Sequence, residues 1–208
     1  MNRLLILVLC VAFSSIFAFA QGGKAASYND MLGKLKGGDL TIDFKALRFA
    51  YADQTPTESR TADPKLQVQM VNLLKEKKFK DVIKIAETIQ KTNFVDMSSH
   101  MIAALAYEGI PDLKKSKFHE AIYVGLVNSV LKDSDGNSPK TAYHVIAVAE
   151  EYVVLNALEL KRGTQAVETV DGHNYHVQTA NDKATNEVVK VYFNIDKIQP
   201  SLAAVPKS

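Results

Sequence analysis

The feature that most constrains this chain is a change of hydrophobic period at Gly163. Upstream, apolar residues recur at three- and four-residue spacing, as on one face of a helix; downstream they alternate, as on one face of a strand. Helices gathered first and strands last predict segregated layers, an α+β plan, in place of the alternating order that builds a parallel sheet.

Tyr28, Met31, Leu32 and Leu35, behind an N-cap at Ser27, predict a short helix that "GGD" at 37–39 ends. Phe44, Leu47, Ala50 and Tyr51 predict a second, followed by the polar loop "DQTPTESRTAD" at 53–63. From Pro64 the pattern is of paired antiparallel helices. Leu66, Met70, Leu73 and Leu74 are joined through the basic corner "KEKK" to Phe79, Val82, Ile83, Ala86 and Ile89. Met97, Met101, Ala104 and Leu105 are joined through "GIPDLKKSK" to Phe118, Ala121, Ile122, Gly125, Leu126 and Val130. Gly136 as a stop, Ser138 as N-cap and Pro139 at the first helical position predict one long helix through "TAYHVIAVAEEYVVLNALEL". On it Val145, Ile146, Ala149, Tyr152 and Val153 form the apolar face. "TQAVETV" and "NYHVQTA", joined around Asp171 and Gly172, and "EVVKVYFNI" predict a small antiparallel sheet.

The two corners "EKKFKDVIKIAETI" and "KSKFHEAIYVGLVN" resemble the junction of a tetratricopeptide repeat, with Phe79 and Phe118 at the aromatic position and Val82 and Ala121 at the small one. Their separation exceeds the roughly 34-residue period of that repeat, and Ile89 stands where it prefers Ala; two ordinary helical hairpins give the same architecture. The segments "DFKALRFAY", "SDGNSPKTAYHVIAVAEEY" and "VYFNID" resemble recurring stretches of a bacterial secreted family, domain of unknown function 4919, over most of the chain. The resemblance implies a tetratricopeptide-like helical part in an exported or envelope protein. It implies no activity and no catalytic residue.

The N-terminus supports export independently. Arg3 precedes an apolar run from Leu4 to Phe19, and the small-x-small triplet Ala18, Phe19, Ala20 predicts cleavage between Ala20 and Gln21. The run is short of the roughly 20 apolar residues of a spanning helix, so no transmembrane segment is expected after cleavage. Leu9 is too bulky for a lipobox at Cys10. Cys10 is the only cysteine, so the mature chain has no disulfide, thiol nucleophile or cysteine-ligated metal. The expected organisation is a signal peptide at 1–20, a flexible tail at 21–27, one domain at 28–196 (helical over 28–160, β over 164–196) and a flexible tail at 197–208. A net charge of +2, with lysines interspersed among acids and no Arg or aromatic cluster beside them, argues against nucleic-acid binding.

Candidate chemistry is sparse. On a helix rising about 1.5 Å per residue, His144 and Glu151 lie about 10 Å apart along the axis, too far for a ready-made dyad. The candidate metal set is His100, His119 and His144 on three successive helices, completed by Glu151, Glu108 or Glu120; three imidazoles and a carboxylate would suit zinc. No two of them share a helix at ligand spacing, so convergence would have to be tertiary. His173 and His176, flanking the hairpin turn, are expected to be exposed. "DSDGNSPKTAYH" at 133–144 departs from a calcium loop, with Gly at its fourth position and His144 at its twelfth. There is no Gly-x-Ser-x-Gly and no Gly-rich phosphate loop. The expectation is a non-enzymatic module without a cofactor that binds another envelope protein or a peptide. The alternatives are a metal-dependent or hydrolytic enzyme and a small-ligand-binding protein.

Overall fold

The computed structural model describes residues 26–199. The expected signal peptide and the cleavage junction at Ala20 and Gln21 lie outside them. The fold is α+β, with helices α1 (Tyr28–Lys36), α2 (Phe44–Gln54), α3 (Pro64–Lys75), α4 (Phe79–Thr92), α5 (Met97–Gly109) and α6 (Leu113–Leu131) preceding strand β1 (Tyr143–His144). Helix α7 (Val148–Ala157) and strands β2 (Leu160–Val170), β3 (His173–Asp182) and β4 (Val188–Asn194) complete it. Among the described residues no helix is long and apolar enough to cross a membrane.

The Ser27 start signal acts as the sequence predicts, and aspartates cap later helices. Ser27 and Asp30 exchange hydrogen bonds in a capping box at α1, and Asp43 accepts from the Ala46 N–H at 3.0 Å to start α2. Asp112 caps α6, so part of the basic corner after Gly109 is already the first turn of that helix.

Two main apolar cores form among the described residues, beside a small cluster of Ala142, Tyr175 and Val177. Leu35, Leu47, Ile122, Leu126, Leu155, Phe193 and Ile195 are fully buried where α1, α2, α6 and α7 meet the sheet. A second core joins α3, α4 and α5 through Met70, Val82, Ala86, Ile102, Ala103 and Ala106, whose small residues allow close helix approach. Gly125 serves the first core: a Cβ there would lie 2.5 Å from the Phe44 ring, so α2 and α6 reach their separation only because none is present.

The sheet corrects the purely antiparallel expectation. Its order is β1-β4-β3-β2, and β1 runs parallel to β4, pairing Tyr143 with Phe193 and His144 with Asn194, so the sheet is mixed. The β2–β3 turn forms as predicted, with Asp171 at φ 52° and Gly172 at φ 81°, the left-handed pair of a tight hairpin.

The long helix from Pro139 is a second correction. Pro139–Thr141 is a single 3-10 turn, the chain is extended through β1, and α7 begins only at Val148. Backbone groups that a helix would satisfy internally are satisfied across the sheet instead: the Val145 N–H donates to the Asn194 carbonyl at 3.2 Å, and the Tyr192 N–H to the Gly136 carbonyl at 2.8 Å. Extended backbone also suits the β-branched Val145 and Ile146. The inner face of α7 is therefore Glu150, Glu151, Val154 and Leu155, and Tyr152, expected in its apolar face, is exposed. At the other end the chain stays attached past 196. The N–H groups of Ile198 and Gln199 both donate to the Ile195 carbonyl, and Arg60 donates to the Lys197 carbonyl.

One ion pair ties these elements together. Arg48 of α2 is fully buried. Its guanidinium grips Glu150 of α7 through both carboxylate oxygens, with Nε to Oε1 at 2.8 Å. Nη1 donates to Ser129 Oγ on α6 at 3.2 Å, and Nη2 also donates to the His144 carbonyl at 3.1 Å. Glu150 Oε2 in turn accepts from the Ile146 N–H at 2.9 Å. Breaking a buried pair from one side strands the other charge, so Arg48→Met or Glu150→Gln is expected to lower unfolding free energy in urea by about 3–5 kcal/mol. The joint variant Arg48→Met, Glu150→Leu is expected to recover only part of that loss, because the His144 carbonyl and Ile146 N–H lose their partners.

Candidate functional site

Where β1, β4 and the start of β3 end against α2, five stretches of chain line an open groove of about 520 Å³. Phe49 comes from α2, Lys140 from the 3-10 turn, His144 from β1, His173 and Tyr175 from β3, and Asp196 and Lys197 from the segment after β4. The parallel β1–β4 pairing brings His144 here, so the residue that sequence reasoning placed mid-helix stands at the rim of a sheet. Its side chain is exposed.

Asp196 and His173 form the best-defined unit in the groove. His173 Nδ1 lies 2.6 Å from Asp196 Oδ2, and the carboxylate also accepts from the Asn174 N–H at 2.9 Å and Asn194 Nδ2 at 3.2 Å. Desolvation alone would raise the Asp196 pKa, but the hydrogen bonds from Asn174, His173 and Asn194 outweigh it and hold the carboxyl below its ordinary range. An ionised Asp196 fixes a proton on His173 Nδ1 and leaves Nε2 for other partners. Partial desolvation, then the Lys45 ammonium, keep the His144 imidazole below its ordinary pKa; Asp196 pulls it up, while Arg48 and His173 push it down. Lys197 pairs with Asp53 and lies 5.6 Å above the Phe49 ring, and the Lys140 ammonium makes no ion pair among the described residues.

The candidate metal residues do not assemble. His100 and His119 meet inside the α5–α6 interface, Nδ1 to Nδ1 at 2.9 Å, while His144 lies in the groove beside His173. Glu151 belongs to a third place. It is fully buried between α7 and the sheet, held by His176 Nδ1 and by Gln178 Nε2, each at 2.6 Å. His176, expected to be exposed, is therefore largely covered and carboxylate-bound, because β3 turns it toward α7; His173 is exposed as expected. Burial raises the Glu151 pKa against the opposing bonds from His176 and Gln178. Among the described residues no group of three or more His, Cys, Asp or Glu is placed to hold a metal ion. Glu108 and Glu120 line a different surface with exposed apolar residues. Between α5 and α6, Met101, Leu105, Leu113 and Tyr123 border a cleft of about 370 Å³, with Leu105 46% and Leu113 59% exposed.

Sequence reasoning missed Arg48, Asp196 and His173 as partners. The one local signal was Arg48 itself, a charge set into the apolar stripe of α2 next to Leu47; the partner of each lies in another part of the chain.

The His100–His119 pair has a defined proton arrangement. His100 Nε2 faces the Phe94 carbonyl at 3.0 Å and must donate to it, so His100 Nδ1 accepts from the Nδ1–H of His119. Tyr107 stacks on His119 with centroids 5.4 Å apart. Burial, then the neighbouring His119, push His100 down to about 3; burial also depresses His119, with Glu87 opposing and Lys115 adding. The folded protein thus keeps both rings neutral where the unfolded chain takes up protons. This contribution to stability is complete above about pH 6.5 and is lost as pH falls toward about 3, by on the order of 4 kcal/mol for His100. Asp96 and Glu151, whose pKa values are raised, act in the opposite sense. Urea midpoints from pH 7 to pH 4 are therefore expected to fall less steeply in His100→Gln than in the wild type.

Comparison with known proteins finds no match among curated proteins or solved structures. A family model, described as Domain of unknown function (DUF4919), matches residues 24–202. That span takes in both cores, the groove and the Arg48–Glu150 pair, and on it the chain belongs to the DUF4919 family.

Proposed function

We propose that this is an exported, non-enzymatic binding module of the cell envelope, whose tetratricopeptide-like helices present a surface to another protein or a peptide. The observation that carries the reading is the apolar cleft between α5 and α6. Met101, Leu105 and Leu113 are large apolar side chains that line it and stay open to solvent, and Glu108, Lys117 and Glu120 stand around the cleft. An apolar floor with charged residues around it is the usual form of a protein-recognition patch. Stacked helices lay such a patch along a groove suited to an extended or helical peptide.

A site-specific photo-crosslinker at Leu113, in cells expressing the full chain, is expected to yield one discrete adduct that Leu105→Glu abolishes while the urea midpoint is kept. Adducts no stronger than those of an unrelated exported control would reject the reading. Export has its own measurement. Cleavage after Ala20 exposes Gln21, whose α-amine attacks its own side-chain amide and releases ammonia. The intact mass of the exported protein is expected to match a chain starting at residue 21 less one ammonia, whereas a mass retaining residues 1–20 would reject cleavage.

A further inference from the structure

We propose that the groove between Lys140, His144, His173 and Lys197 is a binding site for the anionic head, carboxylate or phosphate, of a small ligand whose apolar body lies against Phe49. The inference is independent of the α5–α6 surface.

The groove is assembled from distant parts of the chain, from Phe49 to Lys197, so its composition is a tertiary product and not a run of solvated charge. Its one carboxylate is already committed. Both oxygens of Asp196 are occupied by His173, the Asn174 N–H and Asn194. Asp196 is thus a positioning residue that turns His173 so that Nε2 remains open, on a side chain 57% exposed. Lys197 is likewise held in place, by Asp53 and by the face of Phe49. Lys140, which also lines the groove, makes no ion pair among the described residues. Beneath, the buried Arg48 donates to the His144 carbonyl, so the strand that carries His144 sits against a guanidinium.

The two ammonium groups are donors only, and each imidazole can add one N–H. His173 Nε2 donates when the ring is protonated, an ammonium has only N–H groups, and a neutral His144 offers one N–H. Donors arranged around a space with a committed carboxylate fit an acceptor that carries charge, since hydrogen bonds to an ionised oxygen are shorter and stronger than neutral ones. Phe49 supplies apolar area for the rest of the molecule.

The test is a titration of the full mature chain followed by the imidazole NMR signals. Sodium benzoate and inorganic phosphate are the probes, benzylammonium is the cationic counterpart of benzoate, and sodium chloride is the ionic-strength control. Saturable shifts at His144 and His173 with benzoate, phosphate or both are expected, and none with benzylammonium. Benzoate alone identifies a carboxylate ligand, and phosphate alone a phosphate. Lys140→Ala, a surface change that leaves folding intact, is expected to weaken binding roughly tenfold, and His173→Asn comparably. Absence of saturation, shifts matched by chloride or benzylammonium, or unchanged affinity in Lys140→Ala would each overturn the proposal. Leu105→Glu, which disables the proposed protein surface, is expected to leave these shifts unchanged, so the two readings fail separately.

Discussion

A guanidinium without water must find donors' partners on every side, and Arg48 finds them on three different elements. Two go to Glu150, one to Ser129, and one to the carbonyl of His144. The rest of the architecture follows from meeting that demand. Glu150 has to face inward, which sets the rotation of α7; the His144 carbonyl has to face Arg48, which holds β1 extended; and β1 in turn gives β4 a second neighbour. Burying such a pair penalises every arrangement that leaves one member alone. Its value here lies in register: it excludes the long helix that the pattern after Pro139 would otherwise favour.

Buried polar groups recur between the layers, each in its own way. Glu151 takes His176 and Gln178 from β3, while Gln178 Oε1 is the only buried side-chain nitrogen or oxygen among the described residues that lacks a partner. His100 and His119 pair through neutral imidazoles in the helical half. Asp196 and His173 form the exposed counterpart of these units. The same pairing of carboxylate and imidazole is structural where α7 covers it and available to a ligand where the sheet ends in solvent.

Most of the element order was legible in the sequence. Ser27 signals a helix start that can be read locally, and the alternation of Val189, Val191, Phe193 and Ile195 fixes the inner face of β4 from one strand alone. The segment from Pro139 to Ala147 was not legible. Its cap-like Ser138 and Pro139 are satisfied by a single turn, and the partner that keeps β1 extended lies about fifty residues downstream in β4. The candidate site was hidden for the same reason. His144, His173 and Asp196 have no fixed spacing, and only the sheet order makes them neighbours, whereas the histidines of α5 and α6 looked like potential ligands because each helix could be read alone.

The position of β4 has a consequence for how the chain is made. Among the described residues it is the last strand in chain order, yet it lies inside the sheet, between β1 and β3. Until it emerges, β1 has no strand neighbour, and the first core lacks Phe193 and Ile195. The α3–α5 core has only short-range partners and can form early, while the sheet and the groove wait on contacts of high sequence separation. Folding therefore has a direction, and the half that carries the groove closes only once the chain through Lys197 has been delivered.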